Sequence, residues 1–151
     1  IRHFEDVLSS VVILASFIPM LMDTGGNAGS QSSTLVIRGL ALGEIKLSDG
    51  FKVMFKEFRV SLLTGSILAI VNFIRIYFFE KVSFLISLTV CISLFFTVIV
   101  AKLVGGILPI IAKKLKLDPA IMASPLITTI VDAIALTLFF SLSVVLLNLP
   151  V

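Results

Sequence analysis

Three oxygen-bearing residues, Ser124, Thr128 and Asp132, recur at i, i+4 and i+8 near one end of this chain. On an α-helix that spacing stacks them in one stripe, with Thr129 beside it. Every residue from Ala133 to Val151 is uncharged, so Asp132 lies inside a stretch, Ala120–Val151, long enough to cross a bilayer. A carboxylate near mid-membrane costs about 2.5–3.5 kcal/mol on insertion scales, and such residues usually face a packed interface or a water-filled path where a cation meets them. Hydroxyls leading to a carboxylate have the chemistry of a cation path. The plain alternative is structural: Ser and Thr bond between helices in many membrane proteins, and Asp132 would bond to a neighbouring helix. That alternative suits Ser124 and Thr128 and leaves Asp132 without a partner.

A second polar cluster lies in the first apolar stretch. Gly25, Gly26 and Gly29 alternate with Asn27, Ser30, Gln31, Ser32 and Ser33, and apolar sequence resumes at Thr34–Leu42. Glycines let helices approach closely. They do not explain the amide and hydroxyl oxygens around them, which are hard ligands suited to a hydrated cation. The cluster predicts a break in the helix over 23–29, buried in protein or lining water. It is not a phosphate loop, because the Lys-Ser/Thr that must follow the glycines is missing and no strand precedes it.

The ligand types narrow the ion. Cys91 is the single cysteine and His3 the single histidine, so soft-metal clusters are excluded and no intrachain disulfide can form. One carboxylate is too little for a dehydrated calcium cage, whereas Mg2+ retains its waters and is held by one or two carboxylates. Two chains meeting about a two-fold axis would pair two copies of Asp132 around one hydrated divalent ion. Such a pair does not ionise fully without the ion, so affinity is expected to weaken at acid pH.

The elements that position these residues are membrane spans. Charged residues make up 14% of the chain, against about 25% for a soluble domain. The fold class is therefore all-α, a polytopic helix bundle with the pore at a dimer interface. The spans are expected at about 7–42 with the Gly-rich break, at 60–79 including Asn72 and Arg75, at 82–108, and at 120–149. Together residues 1–151 form a single transmembrane domain. Asp118 and Pro119 start the last span, and Pro125 is expected to kink it. The stretch from Lys46 to Lys56 reads as a short amphipathic helix at the interface, and Lys102 as a lysine snorkelling from the third span.

Basic residues concentrate in Arg38–Arg59 and Lys113–Lys116, which places those loops on the cytoplasmic side. They are separated by apolar spans rather than gathered in one patch, which argues against nucleic acid. Both Ile1 and Val151 then fall outside the cell, an arrangement that implies a further helix before Ile1.

Phe17-Ile18-Pro19, Gly25-Gly26-Asn27-Ala28-Gly29-Ser30-Gln31-Ser32 and Arg38-Gly39-Leu40-Ala41-Leu42-Gly43-Glu44-Ile45 closely resemble the transmembrane domain of MgtE-type magnesium channels. So do Asp118-Pro119-Ala120, Pro125-Leu126-Ile127-Thr128-Thr129 and Asp132. The resemblance covers essentially the whole chain. It implies a homodimeric, lipid-embedded Mg2+ channel of the cell membrane, represented here from its second helix on, without the cytosolic gating domains. Carried onto this chain, it places the ion site on Asp132, the backbone near Thr128 and the amide of Asn27. Ser124, Gly26, Gly29, Gln31 and Thr129 then line the pore. An ion-coupled secondary transporter, whose broken first span is a moving gate, is the main alternative. An intramembrane carboxylate-dyad enzyme and a non-conducting subunit are weaker ones; the expectation is no enzyme.

Overall fold

Long apolar runs without helix-breaking clusters dictate long helices, and helices are what the structure contains. The computed structural model describes residues 11–122 and 124–148, with backbone only at 122 and 124. The expected start of the first span at Val7, its end of the fourth at 149, and both termini lie outside the described residues. A helical turn over 11–16 joins at Phe17 to α1 (Ile18–Ala41), with Pro19 in its first turn, where its missing N–H costs nothing. Next come a 3-10 turn (Leu47–Asp49), α2 (Gly50–Ile74) with a π-helical extension (Arg75–Phe79), α3 (Phe84–Lys114), a 3-10 turn (Pro119–Met122) and α4 (Ser124–Leu147). No strand occurs among the described residues. Among the described residues four helices, taken with their short extensions, are long and apolar enough to cross a membrane.

α3 is the hub. It packs against α1, α2 and α4, and α1 also packs along α4, while α1 and α2 scarcely meet. Three apolar layers set the register. Leu21, Ile76, Val90, Leu94 and Phe139 fill one, Ala28, Val98, Ala101, Ile127 and Val131 the next, and Val36, Leu40, Val53 and Ile110 the third. Numbers rise together along α1 and α3 and fall along α2 and α4, so α1 and α3 run parallel and the other two antiparallel to them. The basic loops expected to be cytoplasmic therefore share one end of the bundle, where Lys113 Nζ donates to the Leu40 carbonyl at 3.1 Å. At the other end Arg75 pairs with Glu80 at 2.5 Å. The outer faces carry exposed Leu63, Ile70, Phe78, Phe140 and Val145, side chains for which lipid is the natural solvent.

Four expectations are corrected. The Gly-rich segment is not a break: α1 runs straight through 23–34, because helical glycines keep their backbone hydrogen bonds and gain close packing. The Lys46–Lys56 stretch is not a separate interfacial helix. Asp49 accepts from the Lys46 N–H at 2.9 Å and from Lys52 Nζ at 3.1 Å, and α2 then begins at Gly50, ten residues before the expected span. α3 continues past Pro109 to Lys114. Pro125 lies in the first turn of α4 rather than inside it, so it costs no intrahelical bond and imposes no kink. Asp118 does act as a cap, but of the 3-10 turn, accepting from the Ala120 N–H at 2.9 Å.

Candidate ion site

The site grows from the crossing of α1 and α4. Gly26 faces Thr128 and Asp132: a Cβ at Gly26 would stand 3.0 Å from Thr128 Cγ2, 3.5 Å from Thr128 Cβ and 3.9 Å from Asp132 Oδ1. Gly29, almost one turn on, leaves room for Ile127 and Val131, since a Cβ there would meet Ile127 Cγ2 at 2.9 Å. The two glycines thus bring the α1 backbone onto the α4 stripe, with Asp132 at the contact.

Asp132 Oδ1 is buried and has no hydrogen-bond partner among the described residues, although the residue as a whole is half-buried. A carboxylate oxygen withdrawn from solvent without a donor is costly unless something positively charged or protic completes it. The hydroxyls of the stripe do not do so: Thr128 and Thr129 both donate to the Pro125 carbonyl, at 3.0 and 2.9 Å. What α4 offers at Thr128 is therefore a hydroxyl turned to its own helix rather than a free donor. The side chain of Ser124, the third member, lies outside the described residues. No group of three His, Cys, Asp or Glu gathers among the described residues.

Asn27 and Gln31 point elsewhere. Both are exposed on α1 and line a cavity of about 370 Å3 with Asp23, Thr24, Thr64 and Lys102, in the gap that α1 and α2 leave over α3. The structure thus brings Gly26, Thr128 and Asp132 together and sets Asn27 and Gln31 on another face of α1.

Lys102 does not snorkel. It is 6% exposed, and its Nζ lies 3.9 Å from Oε2 of Glu57, itself 3% exposed. Ser32 Oγ donates to the same oxygen. Glu57 went unnoticed in the sequence because the span containing it was expected to begin later. A signal existed: Val53, Glu57, Ser61 and Gly65, at successive i+4 positions, are the buried residues of α2. That spacing marks one inward stripe.

With this geometry in view, similarity to known proteins is informative. The family profile described as "MgtE: Divalent cation transporter" matches residues 18–142, which takes in α1 to α3 and most of α4. Three curated relatives carry the name "Magnesium transporter MgtE". That of Bacillus subtilis is 40% identical over 143 residues, covering 95% of this chain and 32% of the relative. The Thermus thermophilus protein is 38% identical over 148 residues, covering 98% and 32%, and that of Enterococcus faecalis 29% identical over 143 residues. The chain spans about a third of the length of these relatives.

Proposed function

The chain belongs to the MgtE family of divalent cation transporters, and on that premise we propose that it forms the membrane path for Mg2+, in two copies, with paired Asp132 carboxylates as the ion site. It is a multi-pass protein of the cell membrane, and the proposed flux runs down the electrochemical gradient into the cytoplasm. The observation that carries this reading is the buried, unpartnered Oδ1 of Asp132 against Gly26. A lone carboxylate in that position calls for a counter-charge, and the described residues of the chain provide none beside it. A second copy would bring a second carboxylate. Two carboxylates hydrogen-bonded to the water shell of Mg2+ match its charge without stripping its waters, which Mg2+ gives up reluctantly. Thr128, through its backbone, is the further ligand of this proposal, with Ser124, Gly26, Gly29 and Thr129 along the walls; Asn27 and Gln31, which line the separate cavity over α3, are left out of it.

The ion-coupled alternative drew on a broken first span serving as a gate. α1 is continuous, so that reading loses its supporting feature. The decisive experiment is Mg2+ flux into proteoliposomes. Asp132→Asn should lower it at least tenfold and abolish preference over Ca2+; flux and selectivity left intact would sink the proposal.

A further inference from the structure

The Ser32–Glu57–Lys102 cluster takes no part in the proposed ion site, yet it is the most deeply buried set of charges described. Three helices contribute one side chain each, and all converge on Oε2 of Glu57. The surroundings are shaped to admit the carboxylate: a Cβ at Gly106 would stand 3.2 Å from Glu57 Cγ. Burying such a pair is poor value for stability, because desolvation offsets most of the attraction and an apolar pair of the same volume does as well. A buried polar node does better at choosing one register among several.

The register it would choose is that of α1. Three residues before Ser32 is Gly29, and three after Lys102 is Gly105. Of the chain's glycines, Gly105 makes the tightest approach to another backbone: a Cβ there would collide with the Gly29 carbonyl oxygen. The polar node and the glycine crossing are thus adjacent turns of one α1–α3 contact. One further turn along α1, Gly26 meets Thr128 and Asp132. The apolar layers alone hold this alignment weakly, because Leu, Val and Ile side chains repack after a one-turn slip.

We infer that Ser32, Glu57 and Lys102 form a register lock that fixes the height of α1 against α4, and so sets which α1 residue faces Asp132. These are positioning residues; none of them contacts the ion. The flux consequence rests on the reading of Asp132 given above, whereas the register itself can be measured without it.

The test uses the full chain in native membranes, with Cys91→Ala removing the single native thiol. Gly26→Cys with Thr128→Cys serves as a ruler, since the 3.5 Å between their Cβ positions suits a disulfide. With the lock intact, mild oxidant should link this pair. In a Glu57→Leu/Lys102→Met background, which leaves no unpaired buried charge, the yield should fall at least fivefold, while Met22→Cys or Ser30→Cys, one turn either way, gains the link to Thr128→Cys. Ser32→Ala should give an intermediate loss of about twofold. Without the ruler cysteines, the Glu57→Leu/Lys102→Met protein should keep its melting temperature but lose at least fivefold in Mg2+ over Ca2+ selectivity. An unchanged ruler in both Ser32→Ala and the double variant overturns the lock, whatever the flux does. A shifted ruler together with Asp132→Asn that conducts normally keeps the lock and removes the ion site from Asp132.

Discussion

Asp132 and Glu57 are two membrane carboxylates in opposite circumstances. Glu57 is 3% exposed and holds a lysine and a serine hydroxyl. Asp132 is half-buried, and its inward oxygen holds nothing. A buried charge with partners belongs to the architecture, and removing one partner leaves the other stranded. A buried charge without partners is a standing cost, which a protein keeps when the missing partner arrives from outside. On the reading proposed above, the contrast separates a residue that places helices from one that meets the ion, and the sequence hides it: Asp132 lies in an apolar run, whereas Glu57, between Lys56 and Phe58, reads as part of a basic loop.

The comparison breaks most sharply on stability. Lys102→Met alone strands the Glu57 carboxylate and should destabilise the fold by about 3–5 kcal/mol. Asp132→Asn removes a charge that has no partner, so thermal unfolding in detergent should show a midpoint unchanged or raised. Equal destabilisation by both would mean that Asp132 has a structural partner and that the distinction is false.

A smaller effect is expected where no charge is involved. Gly105→Ala pushes a methyl group into the Gly29 carbonyl and must spread α1 from α3. Overpacking of this kind costs about 1–3 kcal/mol. Since the crossing sits between the proposed lock and the proposed ion site, Mg2+ flux should fall with it, as measured in the same proteoliposomes. Wild-type flux in a destabilised Gly105→Ala protein would uncouple the crossing from the path.

Much of this was legible in the residues. Composition and run length sufficed for an all-α membrane bundle, because hydrocarbon admits few other solutions. The i, i+4 rule placed Thr128 and Asp132 on one face, and the glycines of α1 announced a close contact. Their meaning was harder to extract. Gly25, Gly26 and Gly29 are compatible with either a broken helix or a tight crossing, and only the neighbours opposite them, Val131, Thr128 and Ile127, decide for the crossing. Glu57 and Lys102 are 45 positions apart in number, and nothing local tells either that the other is near. Snorkelling is a sound expectation for a lysine considered alone; pairing is a tertiary fact. Asn27 looked like a companion of Asp132 because Gly26 is, yet one residue along a helix turns the side chain by about 100°.

The smallest expected effect bears on where the boundary between cargo site and architecture runs. On α3, Thr89 and Ser93 donate to the carbonyls one turn back, Leu85 and Thr89, each at 2.8 Å. Thr97 continues the series at i+8, but its Oγ1 is buried and has no partner among the described residues, while its Cγ2 lies where a Cβ on Gly25 would come within 2.8 Å. It therefore resembles Asp132 in miniature: a residue with an unsatisfied oxygen that packs, here through its methyl group, at a glycine of α1 which also meets Val131, the residue before Asp132. If it is merely an uncompensated hydroxyl, Thr97→Val keeps the shape, removes the desolvation cost and should leave stability unchanged or raise it by about 1 kcal/mol, with flux intact. Unaltered melting with a several-fold loss of Mg2+ flux would place Thr97 with Asp132, behind the glycine wall of the path. A drop in melting temperature would instead show that its hydroxyl has a structural partner, as Glu57 does.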